Sequence, residues 1–337
     1  MKPIVLMTRP LGWDKHSKPL DIRYVPVAGD KPRRKNNKPA PDGHYAIITD
    51  AGASLLIKEM RRLKPQFLLR WVNTKLSKTI LARVREASPK TIIFCADGNQ
   101  PESMSDHIYN FKEFIDVPLL NSRNKIAIDR YRAIGFKHVD TLYEAFFPRD
   151  FRKNVEPRFD CFFGGSNRRR RGKDSPSGQR GWIWDFPNGR FRYDLMQNLH
   201  RKFSLLLCGP GKEWPQSKQG VRHGVKYYDS FRLARVAVGC NHYDLERYYT
   251  RRMFHAGGCG RLFVTKYIPG MEKDGFRNEK NIVWFETVHD ALHLIKKYQS
   301  HKKEYQQVVL AGAKFFTRFH SWKARMHDFE KIVKRIL

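Results

Sequence analysis

The chain has 337 residues, with 65 Lys and Arg against 33 Asp and Glu, a formal net charge of +32. At 41% hydrophobic and 13% aromatic residues it holds too much apolar material for a disordered basic tail, and its length suits two domains that each bury a core. No stretch approaches the roughly 20 apolar residues of a membrane span, and the apolar run at residues 4–7 is too short for a secretory signal, so the expectation is a cytoplasmic monomer that meets a polyanion.

Taken in chain order, short apolar runs predict strands at residues 4–7, 45–49, 67–71, 91–95, 117–120 and 141–145. Amphipathic spacing predicts helices at 53–63, 78–87, 105–114 and 125–135 between them. Residues 15–43 break this pattern. They are rich in Pro, Gly, Lys and Arg and read as a long basic loop, in which Lys31, Arg33, Arg34, Lys35 and Lys38 are candidates for polyanion contact. Periodicity lapses over 148–158, which reads as a linker. It then restarts, with strands expected at 159–163, 204–208, 225–228, 234–239, 262–265 and 282–285, and helices at 193–202, 245–255, 288–300, 304–319 and 320–337. Strand and helix alternating in this way is the pattern of parallel α/β sheets. The five cysteines are scattered without metal-ligand spacing, and the 13 histidines show no HExxH pair, so no motif calls for a divalent metal.

The second half carries a set of ordered motifs. Phe159-Asp-Cys-Phe-Phe-Gly-Gly-Ser-Asn-Arg-Arg169 is an apolar strand ending in a small-residue turn and arginines. Arg252-Met-Phe-His-Ala-Gly-Gly-Cys-Gly260 and then Arg261-Leu-Phe-Val-Thr265 form a helix-to-strand unit. They are followed by Ile268-Pro-Gly-Met-Glu-Lys-Asp-Gly-Phe276, Glu279-Lys-Asn-Ile-Val-Trp-Phe285 and a close of Phe319-His-Ser-Trp-Lys-Ala-Arg325. Over about residues 156–337 this series resembles the spore-maturation-protein-B-like glycosyltransferases. In that family the helix reads Arg-Thr-Phe-Glu and the tail His-Thr-Trp-x-x-Arg. The first half matches only in general layout. The resemblance implies the GT-B fold, two Rossmann-like doubly wound domains facing a central cleft. Residues 1–150 would form an acceptor domain, 151–320 a nucleotide-sugar donor domain, and 321–337 a C-terminal helix crossing back to the first.

A nucleotide-sugar donor gains negative charge on its diphosphate as the glycosidic bond breaks, and cations or backbone N–H groups must meet it. Gly164, Gly165 and Ser166 allow close backbone approach, and Arg168 or Arg169 is placed to supply a guanidinium fork. The resemblance adds Arg252 as a second cation. Where the family has the glutamate expected to hold donor hydroxyls, this chain has His255, and Glu272 is the candidate to compensate. The donor is then a UDP-sugar co-substrate, with no tightly bound cofactor.

An inverting mechanism needs a base at a strand end. The candidates are Asp97, Asp50 and Asp14, with His16 beside the last; a retaining one needs none. Asp50 also suits a helix N-cap and Asp97 a turn. The diphosphate uses few cations, so most of the +32 falls to the acceptor side. Arg170 and Arg171 join the basic loop as candidates there, with Trp182 and Trp184 nearby. The combination points to a glycosyltransferase acting on hydroxymethylated pyrimidines in double-stranded DNA, of the kind bacterial viruses encode. The alternatives are a cell-surface or wall-polymer glycosyltransferase and a degenerate GT-B scaffold that only binds nucleic acid.

Overall fold

The structure is a computed structural model that describes residues 2–8, 19–25, 50–71, 76–97, 106–146, 155–167, 169–171, 182–184, 186–209, 214 and 225–337. The chain divides into two compact units, Met1–Glu144 with Trp322–Leu337, and Ala145–Ser321.

In the first unit, six strands form one sheet: β1 (Ile4–Met7), β2 (Asp21–Tyr24), β3 (Phe67–Trp71), β4 (Ile92–Asp97), β5 (Val117–Leu120) and β6 (Asp140–Thr141). Their order is β2-β1-β3-β4-β5-β6, and every pairing is parallel. Parallel strands need crossovers, and from β2 onward α1 (Asp50–Leu63), α2 (Lys78–Ala87), α3 (Asp106–Asn110) and α4 (Lys125–Ala133) supply one between each strand and the next. Leu6, Leu68 and Ile93 point to one face and pack with Leu56, Met60, Leu81 and Val84 of α1 and α2. The strand period of two sends Phe67 and Phe94 to the other face. There Phe329 of the last helix, α10 (Trp322–Ile336), meets Phe94 edge-on at 5.1 Å and 72°. Arg325 of α10 is 3% exposed, and its guanidinium donates to Asp328 and to the Glu144 carbonyl.

The second unit holds a five-stranded parallel sheet of β7 (Phe159–Gly164), β10 (Leu205–Cys208), β11 (Ala234–Gly239), β12 (Leu262–Lys266) and β13 (Val283–Phe285), ordered β10-β7-β11-β12-β13. A separate antiparallel pair joins β8 (Arg169–Arg171) to β9 (Trp182–Trp184). Helices α5 (Gly189–Lys202) and α8 (Val288–Ser300) bury Leu195, Met196, Leu199, Ala291 and Ile295 against Cys161, Phe163, Val236, Val264 and Val283. Helices α6 (Val225–Arg232), α7 (Arg251–Gly258) and α9 (Lys302–His320) complete the unit. Phe231 of α6 packs on Phe162, the alternate residue of β7.

Several sequence expectations are corrected. The expected loop at 15–43 contains the edge strand β2, paired with β1 from Asp21 to Tyr24. Residues 225–228 open a helix, because β10 and β11 both run parallel to β7 and the segment between them must be a crossover. The helix expected from 245 starts only at Arg251, since side chains knit the preceding residues into a loop. The segment 105–114 is a short helix followed by a 3-10 turn at Lys112–Phe114, and the strand at 141–145 shrinks to Asp140–Thr141. The strand expected at 45–49 lies outside the described residues.

All five cysteines are buried free thiols. Burial pushes the Cys240 thiol up to about 11 and Cys259 up to about 12, and raises Cys161 as well. The folded chain thus holds these protons more tightly than the unfolded one, whose thiols titrate near pH 8.5. Stability from this source is complete below that value and is lost as pH rises through about 9 towards 11. At pH 8 a disulfide reagent is expected to leave the native thiols unreacted and to titrate all five after denaturation.

Candidate active site

The carboxyl ends of the second sheet carry the cations. Strand β7 closes on Gly164, and Gly165 continues the pairing by donating its N–H to the Cys208 carbonyl at 2.9 Å. The indole of Trp214, fully buried, donates to the Gly165 carbonyl at 2.6 Å. Glycine at 165 leaves room for two arginine side chains. A side-chain carbon there would lie 2.3 Å from Arg252 Nη2 and 3.1 Å from Arg192 Nη2, so both guanidiniums crowd the same point above the backbone.

Both also face the Phe163 ring, with guanidinium carbons 4.9 Å (Arg252) and 5.2 Å (Arg192) from its centroid. Arg192 comes from the first turn of α5, is fully buried, and donates to the Ser166 carbonyl at 2.7 Å. Arg252 comes from the first turn of α7 and donates to the Cys240 carbonyl at 3.2 Å. Lys266, the last residue of β12, adds a third cation, paired with Asp244 and 3.2 Å from Asn188 Oδ1. The positive charges of Arg192, Lys266 and Arg252 all lower the Cys240 thiol's pKa against the larger effect of burial, which marks their convergence at the end of β11. Like charges held together in a partly desolvated place repel, and an anion between them relieves that repulsion.

Neighbouring groups hold this arrangement. His242 Nε2 lies 3.1 Å from the Ser166 carbonyl, which only accepts, so Nε2 carries the proton; its ring stacks on Phe186 at 4.0 Å. Asn188, at the N-terminus of α5, donates its backbone N–H to the His242 carbonyl and its amide to Asp244 Oδ1 at 2.7 Å. The β11–α7 connection is tied by Asn241, which donates to the Tyr248 carbonyl and accepts from Thr250 Oγ1. It is clamped further by Asp274, which accepts from Arg247 and from the Tyr249 hydroxyl at 2.7 Å. Arg247 sits at φ 52° in the left-handed region, a conformation this clamp sustains.

The residues singled out in the sequence fall in different places. Gly164, Gly165, Ser166 and Arg252 come together. His255 is only 2% exposed inside α7, its ring perpendicular to that of Phe231 with the centroids 6.2 Å apart. Glu272 lies in a 3-10 turn, Met271–Asp274, between two left-handed glycines, and accepts from the Tyr267 hydroxyl at 3.2 Å. Asp50 is the exposed first residue of α1, and Asp97 ends β4, in register with Leu120. Arg169, Arg170 and Arg171 form β8, opposite Trp184, Ile183 and Trp182. The side chains of Asp97 and of these arginines, and all of Asp14, His16, Lys31, Arg33, Arg34, Lys35, Lys38 and Arg168, lie outside the described residues.

Arg192, Lys266 and Asp244 were not anticipated. A signal for Arg192 existed: it shares the apolar stripe of α5 with Leu195, Met196 and Leu199, where an arginine must find polar partners to be buried. Among the described residues no cluster of three or more His, Cys, Asp or Glu side chains is placed to hold a metal ion. No described helix is long and apolar enough to cross a membrane.

A family model described as glycosyl transferase-like matches residues 191–331. This stretch, less than half of the chain, is similar to that family. It contains Arg192, Asp244, Arg252 and Lys266, with the Gly164–Ser166 turn just outside it. No curated protein matches the sequence. Among solved structures, Anabaena HepE in complex with UDP and glucose superposes with a TM-score of 0.51 at 8% identity, over 99% of this chain and 100% of that one. Sucrose-phosphate synthase from Thermosynechococcus elongatus gives 0.51 at 10% identity, over 100% and 99%. A glycosyltransferase from Rickettsia africae gives 0.53 at 10%, over 99% and 90%. At these identities the likeness is one of fold: the chain has the GT-B architecture of nucleotide-sugar glycosyltransferases, with a parallel α/β sheet in each unit.

Proposed function

We propose that the protein transfers a sugar from a UDP-sugar to a hydroxymethylated pyrimidine in duplex DNA, as a transferase of the spore-maturation-protein-B-like kind. The observation that carries the donor half is the pair of guanidiniums, Arg192 and Arg252, converging on Gly165 at the carboxyl end of β7. A diphosphate laid over Gly165 and Ser166 would place its oxygens against both forks. In the transfer, the bond from the sugar's anomeric carbon to the β-phosphate oxygen breaks. A new bond forms from that carbon to the acceptor hydroxyl. The released charge resides on UDP, where Arg192 and Arg252 stabilise it, and the hydroxyl proton passes to a base. In an inverting course that base would come from Asp97, Asp50 or Asp14; in a retaining course the departing phosphate oxygen takes the proton and these residues have no such role.

The acceptor half rests on charge. The net +32 far exceeds what a diphosphate uses. In the first unit, α4 and its flanks expose Arg123, Lys125, Arg130, Arg132 and Lys137, and among these Lys125 and Arg132 share one acid, Asp129. Such surfaces bind a phosphate backbone by releasing its counterions, without reading sequence. The Lys31–Lys38 run and Arg170–Arg171 are proposed as further contacts to the DNA backbone.

The test incubates radiolabelled UDP-sugars with duplexes containing hydroxymethylcytosine, hydroxymethyluracil or only ordinary bases, and with an anionic wall polymer. Label is expected on hydroxymethylated duplex alone, with binding that weakens steeply as salt rises. Label on the polymer would favour the wall-polymer reading. DNA binding with no effect of UDP and no transfer would favour a scaffold that has lost catalysis.

A further inference from the structure

A bound nucleotide-sugar presents hydroxyls as well as phosphates, and a hydroxyl in a partly desolvated site needs an acceptor. His255, which stands where the resembling family has a glutamate, is buried in α7 with its ring perpendicular to that of Phe231. The carboxylate beside the cation cluster is another residue. Asp244 follows β11, and its side chain remains 47% exposed while two partners orient it: the Asn188 amide at 2.7 Å and the Lys266 ammonium.

These contacts connect it to the arginines. Asn188 donates to the His242 carbonyl, and His242 and Arg192 both donate to the Ser166 carbonyl. A carboxylate offers about four lone-pair positions, so two partners that fix its plane leave acceptor capacity facing solvent. Lys266 neutralises the charge, which lets a carboxylate stand beside an anion site without repelling the anion.

We infer that Asp244, held by Asn188 and Lys266, is the residue that accepts a hydrogen bond from a sugar-ring hydroxyl of the bound donor. The inference rests on the proposed donor site, and it assigns Asp244 a binding role that the sequence motifs had given to His255 or Glu272. The shared chemistry is that of vicinal ring hydroxyls, carried both by the ribose and by the transferred sugar.

Calorimetric titrations of the full chain separate these sources. The probes are UDP, 2′-deoxy-UDP, UDP-glucose and inorganic pyrophosphate, and the proteins are wild type, Asp244→Asn and Asp244→Ala. If Asp244 serves the ribose, wild type binds UDP about ten- to a hundred-fold more tightly than 2′-deoxy-UDP. If it serves the transferred sugar, the same margin separates UDP-glucose from UDP. Asp244→Ala is expected to erase that margin while pyrophosphate binds as before or slightly more tightly. Asp244→Asn, which keeps an acceptor oxygen, falls between.

Parallel loss of UDP, 2′-deoxy-UDP and pyrophosphate in Asp244→Ala would mean that the residue only positions Lys266, and would overturn the inference. So would a hydroxyl preference that survives the substitution, or the lack of any such preference in a wild type that binds UDP. A wild type that binds neither nucleotide nor pyrophosphate would instead remove the donor site itself.

Discussion

Arg252→Ala is expected to weaken UDP binding by about ten- to a hundred-fold and to lower kcat/KM by about 10²–10³-fold. The guanidinium meets the Gly165 backbone more closely than a side-chain carbon there would allow, faces the Phe163 ring, and keeps one hydrogen bond to the Cys240 carbonyl. It is thus held by the protein but not neutralised by a carboxylate in any of these contacts. Losing it removes a charge-assisted fork from the diphosphate, and the larger effect falls where charge grows as the sugar departs. The unliganded fold gains from relief of the repulsion with Arg192, so its melting temperature should change by only a few degrees while the UDP-induced rise disappears. Arg252→Lys restores charge without the planar fork and should recover part of the binding. Calorimetry with UDP and a steady-state transfer assay check this. Undiminished UDP affinity in Arg252→Ala would place the diphosphate elsewhere.

Phe329→Ala is expected to destabilise the first unit by about 3–5 kcal/mol, a large part of the roughly 5–15 kcal/mol that holds a domain together. Phe329 is fully buried on α10, edge-on to Phe94 in the middle of the sheet, and its neighbours Met326, Ile332 and Val333 are buried beside it. The sheet face it covers would otherwise expose Phe94, which packs in turn on Phe67. Differential scanning calorimetry should show a transition moved well down in temperature. UDP should still bind below that transition, since every residue of the donor cluster lies within Ala145–Ser321. An unchanged scan would show that α10 contributes little to the first unit's core.

The candidate site was legible in the sequence where it depends on local chemistry. The Gly164-Gly-Ser166 turn announces itself as small residues closing an apolar run, and Arg252 as the cation of an ordered motif. The structure puts these residues together at the end of β7 and the start of α7. Asp244 and Lys266 were not legible. Nothing within a few residues of either distinguishes it from a surface charge, and their pairing exists only because β11 and β12 lie side by side. The segment 225–228 failed for a related reason. Four residues with apolar character fit a strand or a helix equally, and the parallel pairing of β10 and β11 with β7 decides for a crossover helix.

What the sequence determined by itself is the alternation of buried strands and amphipathic helices, and with it a pair of parallel α/β units. The period of apolar residues is a local property and survives reading one segment at a time. It also determined the +32, a sum that no fold can alter. Only the tertiary structure decided which charges act together. The strand order β10-β7-β11-β12-β13 is not the chain order, and it brings the ends of β7, β11 and β12 to one edge. Arg192, Arg252 and Lys266 are distant in sequence and meet there because parallel strands present all their carboxyl ends on the same side. The excess charge is written in the composition, whereas the few cations placed for a diphosphate are selected by the sheet.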